Sequence, residues 1–453
     1  MKITAKRAAV IYGLIALVLA GLAVFLISLV RHGDSWAGSR FNRHIYSGGA
    51  IVNAGTIYDI NGVPLAETED GRRVFADGAN TRRATLHVVG DTAGYISTGT
   101  HYLYRDALSG YSIAGGVYKL KRSGTGTDIT LNIDSKACRV AYEALGDYNG
   151  AVAVYNYKTG QLLCSVSKPT FDPQNRPKDL LTNEKYDGVF LDKVISGIYT
   201  PGSLMKIVTA ACAIENIPDI YTRTFECDGE YETGDGVVIC NGVHGKVSFQ
   251  EAMNESCNCA FAQISIELGA SKLLATAESL GFNKQLTAKE IRLAKSRFSP
   301  SKTSKAELGW AGIGQSTTYL NPAHMLAIVG AVANGGVGYA PDRIRAAGAL
   351  SEVVGRVPEP LVKMNPATAA QLQKLLRSNV ADQYGESKFP GLEMCGKTGT
   401  AQIDGETSHS WFAGYSQRAD LPLAVVVIAE HAGSGMRTAS AVANTVMQYF
   451  AGN

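Results

Sequence analysis

The chain has 453 residues, 45% of them hydrophobic and 18% charged, with a formal net charge of +3. That length suits two or three domains with ordinary cores, and so small a charge excess excludes the footprint of a nucleic-acid-binding protein. Eight cysteines and eight histidines contain no Cys-x-x-Cys or His-x-x-x-His pair, so nothing argues for a metal, and neither metal nor cofactor is expected.

Residues 8–30 carry no charge. As a helix they would run about 34 Å, against a hydrocarbon core of about 30 Å. Lys2, Lys6 and Arg7 precede them. The positive-inside tendency then predicts a cytoplasmic tail 1–7, a single uncleaved anchor 8–30 in the cytoplasmic membrane, and an extracytoplasmic chain beyond Arg31. Ala37-Gly38-Ser39 is a small-residue run, but the apolar stretch is longer than the core of a cleaved signal. Such a compartment permits disulfides. Cys227 and Cys240 flank the turn Thr233-Gly234-Asp235-Gly236 and can face each other across a hairpin, bridged or not; the other six cysteines read as small apolar packing.

Residues 31–127, rich in Gly, Thr, Ser and Tyr, predict a small membrane-proximal domain with a hairpin at Asn61-Gly62. From 128 to 453 the pattern changes. A strand at 129–133 precedes a helix ending near Leu145, then a hairpin of 150–157 and 161–166 turns at Lys158-Thr159-Gly160. Helices are predicted after Ser203 and over 249–268, 272–280, 322–334 and 366–380. Strands follow at 394–402, 409–415 and 421–429, then a helix over 439–450. This order predicts an α/β protein of the α+β type, in which one antiparallel sheet collects strands from both ends of a domain and is flanked by helices.

Tyr199-Thr200-Pro201-Gly202 punctuates a loop, and the apolar spacing after it starts a helix at Ser203. Lys206 lies three residues on, on the same helix face. A serine hydroxyl needs a base to become a nucleophile, and a desolvated lysine can be that base. Two other Ser-x-x-Lys tetrads lack this setting: Ser165 to Lys168 lies in a strand, and Ser299 to Lys302 in a polar loop.

Ser256-Cys257-Asn258 and Lys397-Thr398-Gly399-Thr400 follow in that order, one at the end of or within a helical stretch, the other in a short strand. Together with Ser203 and Lys206 they form the signature of active-serine, penicillin-recognising enzymes. Each part answers a need of acyl transfer. Ser203 attacks, Lys206 takes its proton, Ser256 relays that proton to the leaving amine, and Asn258 holds the substrate amide. Lys397, Thr398, Gly399 and Thr400 suit a terminal carboxylate, and the amides of Ser203 and Thr400 suit the oxyanion. The second Lys-Thr-Gly, at Lys158, reads as turn chemistry. Gly391 to Thr398 also matches a phosphate loop, but no helix is predicted after it and 55 residues are too few for the parallel sheet such a loop serves.

On these motifs the chain resembles a class B penicillin-binding protein, a membrane-anchored peptidoglycan D,D-transpeptidase. Leu131-Asn132-Ile133-Asp134, Lys168-Pro169-Thr170-Phe171-Asp172-Pro173, Gly312-Ile313-Gly314-Gln315, Asn334-Gly335-Gly336 and Trp411-Phe412-Ala413-Gly414-Tyr415 carry the likeness further. The resemblance implies the family's sheet-and-helix transpeptidase fold, peptidoglycan stem peptides as substrate, acylation by β-lactams, and a multi-spanning glycan-strand polymerase of the SEDS family as partner. A weaker likeness covers residues 55–62, where Ala54 replaces the family's arginine. The stretch between anchor and residue 128 is too short for the glycosyltransferase domain of class A members. The same motifs serve D,D-carboxypeptidases, β-lactam sensors and β-lactamases. No Glu-x-x-Leu-Asn of a class A β-lactamase is present, and the short tail leaves no room for a sensor's signalling machinery.

Overall fold

The computed structural model describes residues 2–37, 46–47, 50–51, 54–109, 126–347, 357–403 and 405–452. Its first element is the helix Lys2–Ala37, in which Lys6–His32 has a mean hydropathy of 2.8 and an apolar window with no buried residue. This matches a membrane anchor in length and composition. Gly38 and Ser39 of the small-residue run lie outside the described residues.

The Asn61-Gly62 hairpin forms as expected: Ile57–Tyr58 pairs antiparallel with Pro64–Glu69. Asp59 fixes the turn, one carboxylate oxygen accepting from the amides of Asn61 at 2.9 Å and Val63 at 2.8 Å. Its other oxygen accepts from the Ser135 hydroxyl at 2.7 Å and so stitches the turn to the helix Ser135–Ala144. Ile57–Tyr58 also pairs parallel with Ile129–Leu131, and the Thr56 amide donates to Asp128 at 2.7 Å. A five-stranded mixed sheet results, running Ile344–Ala347, Ile129–Leu131, Ile57–Tyr58, Pro64–Glu69, Arg72–Phe75. Ala54 is buried beside it, and Arg73 donates to the Ala54 carbonyl at 3.3 Å.

The second sheet is the one the sequence predicts, antiparallel throughout, in the order Met394–Ile403, Glu406–Ser416, Leu423–Ala429, Gly150–Asn156, Leu162–Lys168. The two ends of the domain meet where Leu423–Ala429 pairs with Gly150–Asn156. Leu423–Ala429 is buried at every position, so both its faces need cover. The helices Ala439–Phe450 and Pro322–Ala333 both pack on it, and Ser135–Ala144 packs on Ala439–Phe450.

One predicted boundary moves. In place of a helix over 249–268, Phe249–Asn254 stops and Asn258–Ser279 starts afresh, with a further kink at Gly269. The break falls at Ser256, whose φ of 55° is left-handed for a residue with a side chain. Glu255-Ser256-Cys257 holds no glycine or proline, so the sequence carries no local signal for it.

Candidate active site

Gly202 opens the site. Its φ is +53°, and a Cβ there would lie 2.7 Å from the Thr400 carbonyl oxygen, so only glycine lets the serine loop lie against the edge strand Met394–Ile403. Behind the loop Gly314, at φ +84°, has the same constraint: its Cβ would come within 2.0 Å of the Gly202 oxygen. The Gly202 amide donates to the Gly314 carbonyl at 3.0 Å. Ser203 then sits in a 3-10 turn, Gly202–Met205, that leads directly into the helix Lys206–Asn216.

Three side chains converge here. Lys206 Nζ donates to Ser203 Oγ at 3.2 Å and to Ser256 Oγ at 3.1 Å, and Ser256 Oγ donates to Ser203 Oγ at 2.9 Å. Asn258 Oδ1 accepts from Lys206 at 2.8 Å, as does the Ser256 carbonyl, which the left-handed turn aims inward. The Asn258 amide group donates to the Ile239 carbonyl at 2.9 Å and so is oriented with its oxygen toward the lysine. Lys206 has no solvent exposure, and its ammonium also lies 5.6 Å from the Phe261 ring centroid. Burial, reinforced by the positive charge of Lys397, holds Lys206 well below the usual lysine range.

Lys397, Thr398, Gly399 and Thr400 lie on the edge strand opposite Ala413, Phe412, Trp411 and Ser410. Lys397 is fully buried, and burial brings it down to about 7. Thr398 is held by Tyr384, whose hydroxyl accepts the Thr398 amide at 3.1 Å and lies 3.2 Å from its Oγ1. Thr400 Oγ1 accepts from the Gly435 amide at 3.4 Å. Trp411 ties the strand pair to the serine loop, its indole donating to the Thr200 carbonyl at 3.1 Å. Ser203, Ser256, Asn258, Thr398 and Thr400 line one open cavity of about 510 Å³.

The structure separates the look-alikes. Ser165 is buried in the strand Leu162–Lys168, Ser299 lies in an exposed loop, and Lys158 in the tip of the hairpin. The stretch Gly391 to Thr398 runs into a strand, not a helix, so it is not a phosphate loop. Tyr384 was not legible as a site residue: it sits in a π-helical turn, Asn379–Tyr384, with no motif around it.

A helical serine with a buried lysine one turn on, a second serine between them and a lysine-threonine edge strand define a serine acyl-transfer enzyme. Residues 150–448 match the Transpeptidase family, the penicillin binding protein transpeptidase domain, and the chain belongs to it. A relative is the peptidoglycan D,D-transpeptidase PbpA of Mycolicibacterium smegmatis, 27% identical over 350 residues, 69% of each protein. Among solved structures, penicillin-binding protein A from M. tuberculosis as its ceftriaxone acyl-enzyme superposes with a TM-score of 0.77 at 23% identity, over 87% of this chain and 97% of that one. The D,D-transpeptidase domain of a peptidoglycan glycosyltransferase from Eggerthella lenta gives 0.73 at 28% identity, again over 87% and 97%.

Proposed function

We propose that the chain is a membrane-anchored peptidoglycan D,D-transpeptidase working through an acyl-enzyme on Ser203. The observation that carries this reading is the closed triangle of Ser203, Lys206 and Ser256, with sides of 3.2, 3.1 and 2.9 Å around a fully buried lysine. Neutral Lys206 takes the proton as Ser203 Oγ attacks the carbonyl of a stem peptide. The carbon–nitrogen bond then breaks, and Ser256 passes the proton to the departing amine. Asn258 holds the substrate amide, while Lys397, Thr398, Gly399 and Thr400 receive the terminal carboxylate. The amides of Ser203 and Thr400 serve the oxyanion, a reading supported by how closely the serine loop lies against Thr400. An amine from a second stem peptide reverses the path and forms the cross-link. A β-lactam follows only the first half.

The same reading divides the chain into the tail 1–7, anchor 8–30, membrane-proximal part 31–127 and transpeptidase part 128–453. The amino terminus is cytoplasmic, the catalytic part extracytoplasmic, and a glycan-strand polymerase of the SEDS family lies beside it in the membrane. Water in place of the amine would make the chain a D,D-carboxypeptidase. The test is full-length protein in detergent, given a stem-peptide thioester and increasing concentrations of stem-peptide amine. Mostly aminolysis product, and a single fluorescent-penicillin label lost in Ser203→Ala, is the expected result. Hydrolysed acid alone at every amine concentration overturns the transpeptidase reading.

A further inference from the structure

Close to the catalytic triangle, four side chains that no linear motif connects come together. Cys227, Cys240, His244 and Cys257 place three Sγ atoms and Nδ1 within 4.8 Å of one another. All three cysteines are free thiols. We propose that these residues bind one zinc ion, and that this metal clamps the Ser-Cys-Asn turn in its catalytic shape.

The distances fit a tetrahedral metal. A tetrahedral zinc with bonds of about 2.3 Å to sulfur and 2.0–2.1 Å to nitrogen separates its sulfurs by about 3.8 Å, and sulfur from nitrogen by about 3.6 Å. Here Cys240 Sγ lies 3.9 Å from Cys257 Sγ, and His244 Nδ1 lies 3.4 Å from Cys227 Sγ and 3.6 Å from Cys240 Sγ. A disulfide would need two of the sulfurs at about 2.05 Å. Three cysteines and a histidine form a closed structural set for zinc, with no position left for water.

The surroundings suit it too. His244 Nε2 faces a Glu255 carboxylate oxygen at 4.0 Å, which favours the proton on Nε2 and leaves the Nδ1 lone pair for the metal. Binding three thiolates gives the site one net negative charge, the three thiol protons passing to solvent. Backbone amides face that charge: Asn258 N donates to Cys240 Sγ at 3.1 Å and Ala260 N to Cys257 Sγ at 3.4 Å.

Each ligand comes from a different part of the wall around the site. Cys227 ends the strand Thr224–Cys227, Cys240 follows Val237–Ile239, His244 precedes Gly245–Ser248, and Cys257 is the middle residue of Ser256-Cys257-Asn258. A metal here ties two small strand pairs to the turn that bears Ser256 and Asn258. It therefore offsets the cost of the left-handed Ser256. The effect on acylation rests on the function proposed above; the metal site does not.

The test uses full-length protein purified without chelator. Elemental analysis should find one zinc per chain, and cobalt exchanged into the site should show thiolate-to-metal charge-transfer absorption. His244→Gln and Cys240→Ser should lose both, while Cys259→Ala, which changes a neighbouring cysteine outside the set, keeps them. Glu255→Gln should weaken metal affinity about tenfold. Chelation should lower the melting temperature and slow labelling of Ser203, and zinc but not magnesium should restore both. Metal-free protein with two thiols lost to oxidation, or with all eight titratable, overturns the proposal whether or not Ser203 is labelled.

Discussion

Replacing Lys206 by arginine tests whether this side chain is the base that takes the Ser203 proton. Arginine stays protonated at any usable pH, and its donors can still reach the oxygens that now surround Nζ: Ser203 Oγ at 3.2 Å, Ser256 Oγ at 3.1 Å and Asn258 Oδ1 at 2.8 Å. Those contacts should hold the fold, whereas a group that is always protonated cannot accept the Ser203 proton. A positioned general base is worth roughly 10²–10⁴ in rate, or about 3–5 kcal/mol of barrier. Burial and Lys397 lower the affinity of Lys206 for its proton, so the parent enzyme should lose acylation on the acid side as Lys206 becomes protonated, with that limb well below the ordinary lysine range. The assay is the second-order rate of labelling by a fluorescent penicillin from pH 5 to 9, beside a melting curve for each variant. A Lys206→Arg protein that melts like the parent and acylates within about tenfold of it, with the same pH profile, would refute the assignment of the base.

Ser256→Ala removes the side of the triangle that passes the proton between the amine and Lys206; aminolysis of the acyl-enzyme formed from a peptide thioester should fall strongly while stability changes by only about 1 kcal/mol, as measured by denaturant melts. Tyr384→Phe withdraws the partner of the Thr398 amide and hydroxyl, and should destabilise by about 1–3 kcal/mol and raise KM for carboxylate-bearing substrates more than it lowers kcat. Lys397 binds its proton less tightly folded, at about 7, than unfolded, so between that pH and the ordinary lysine value the unfolded chain holds more protons and parent stability should rise with pH. The gain is at most about 1.4 kcal/mol per pH unit, and Lys397→Met should flatten it in melts from pH 7 to 10.

Much of this was legible in the chain itself. The apolar stretch at the amino terminus, the alternating and continuous apolar runs of the sheet strands, and the 3.6-residue spacing of the helices are local properties of the backbone, and the predicted sheet strands and the helices over 322–334, 366–380 and 439–450 emerged within a few residues of where the pattern puts them. The preference for Ser203 over Ser165 and Ser299 was local as well, because only one of the three opens a helix. What the sequence could not hold is whatever depends on which distant atoms meet. The left-handed Ser256 separates two helices at a point that no glycine or proline marks. The hold of Tyr384 on Thr398 joins a π-helical turn to an edge strand. The gathering of Cys227, Cys240, His244 and Cys257 is the clearest case: their spacings fit no metal motif, because it is two strand pairs and a helix start, folded onto one another, that bring four ligand atoms within 4.8 Å.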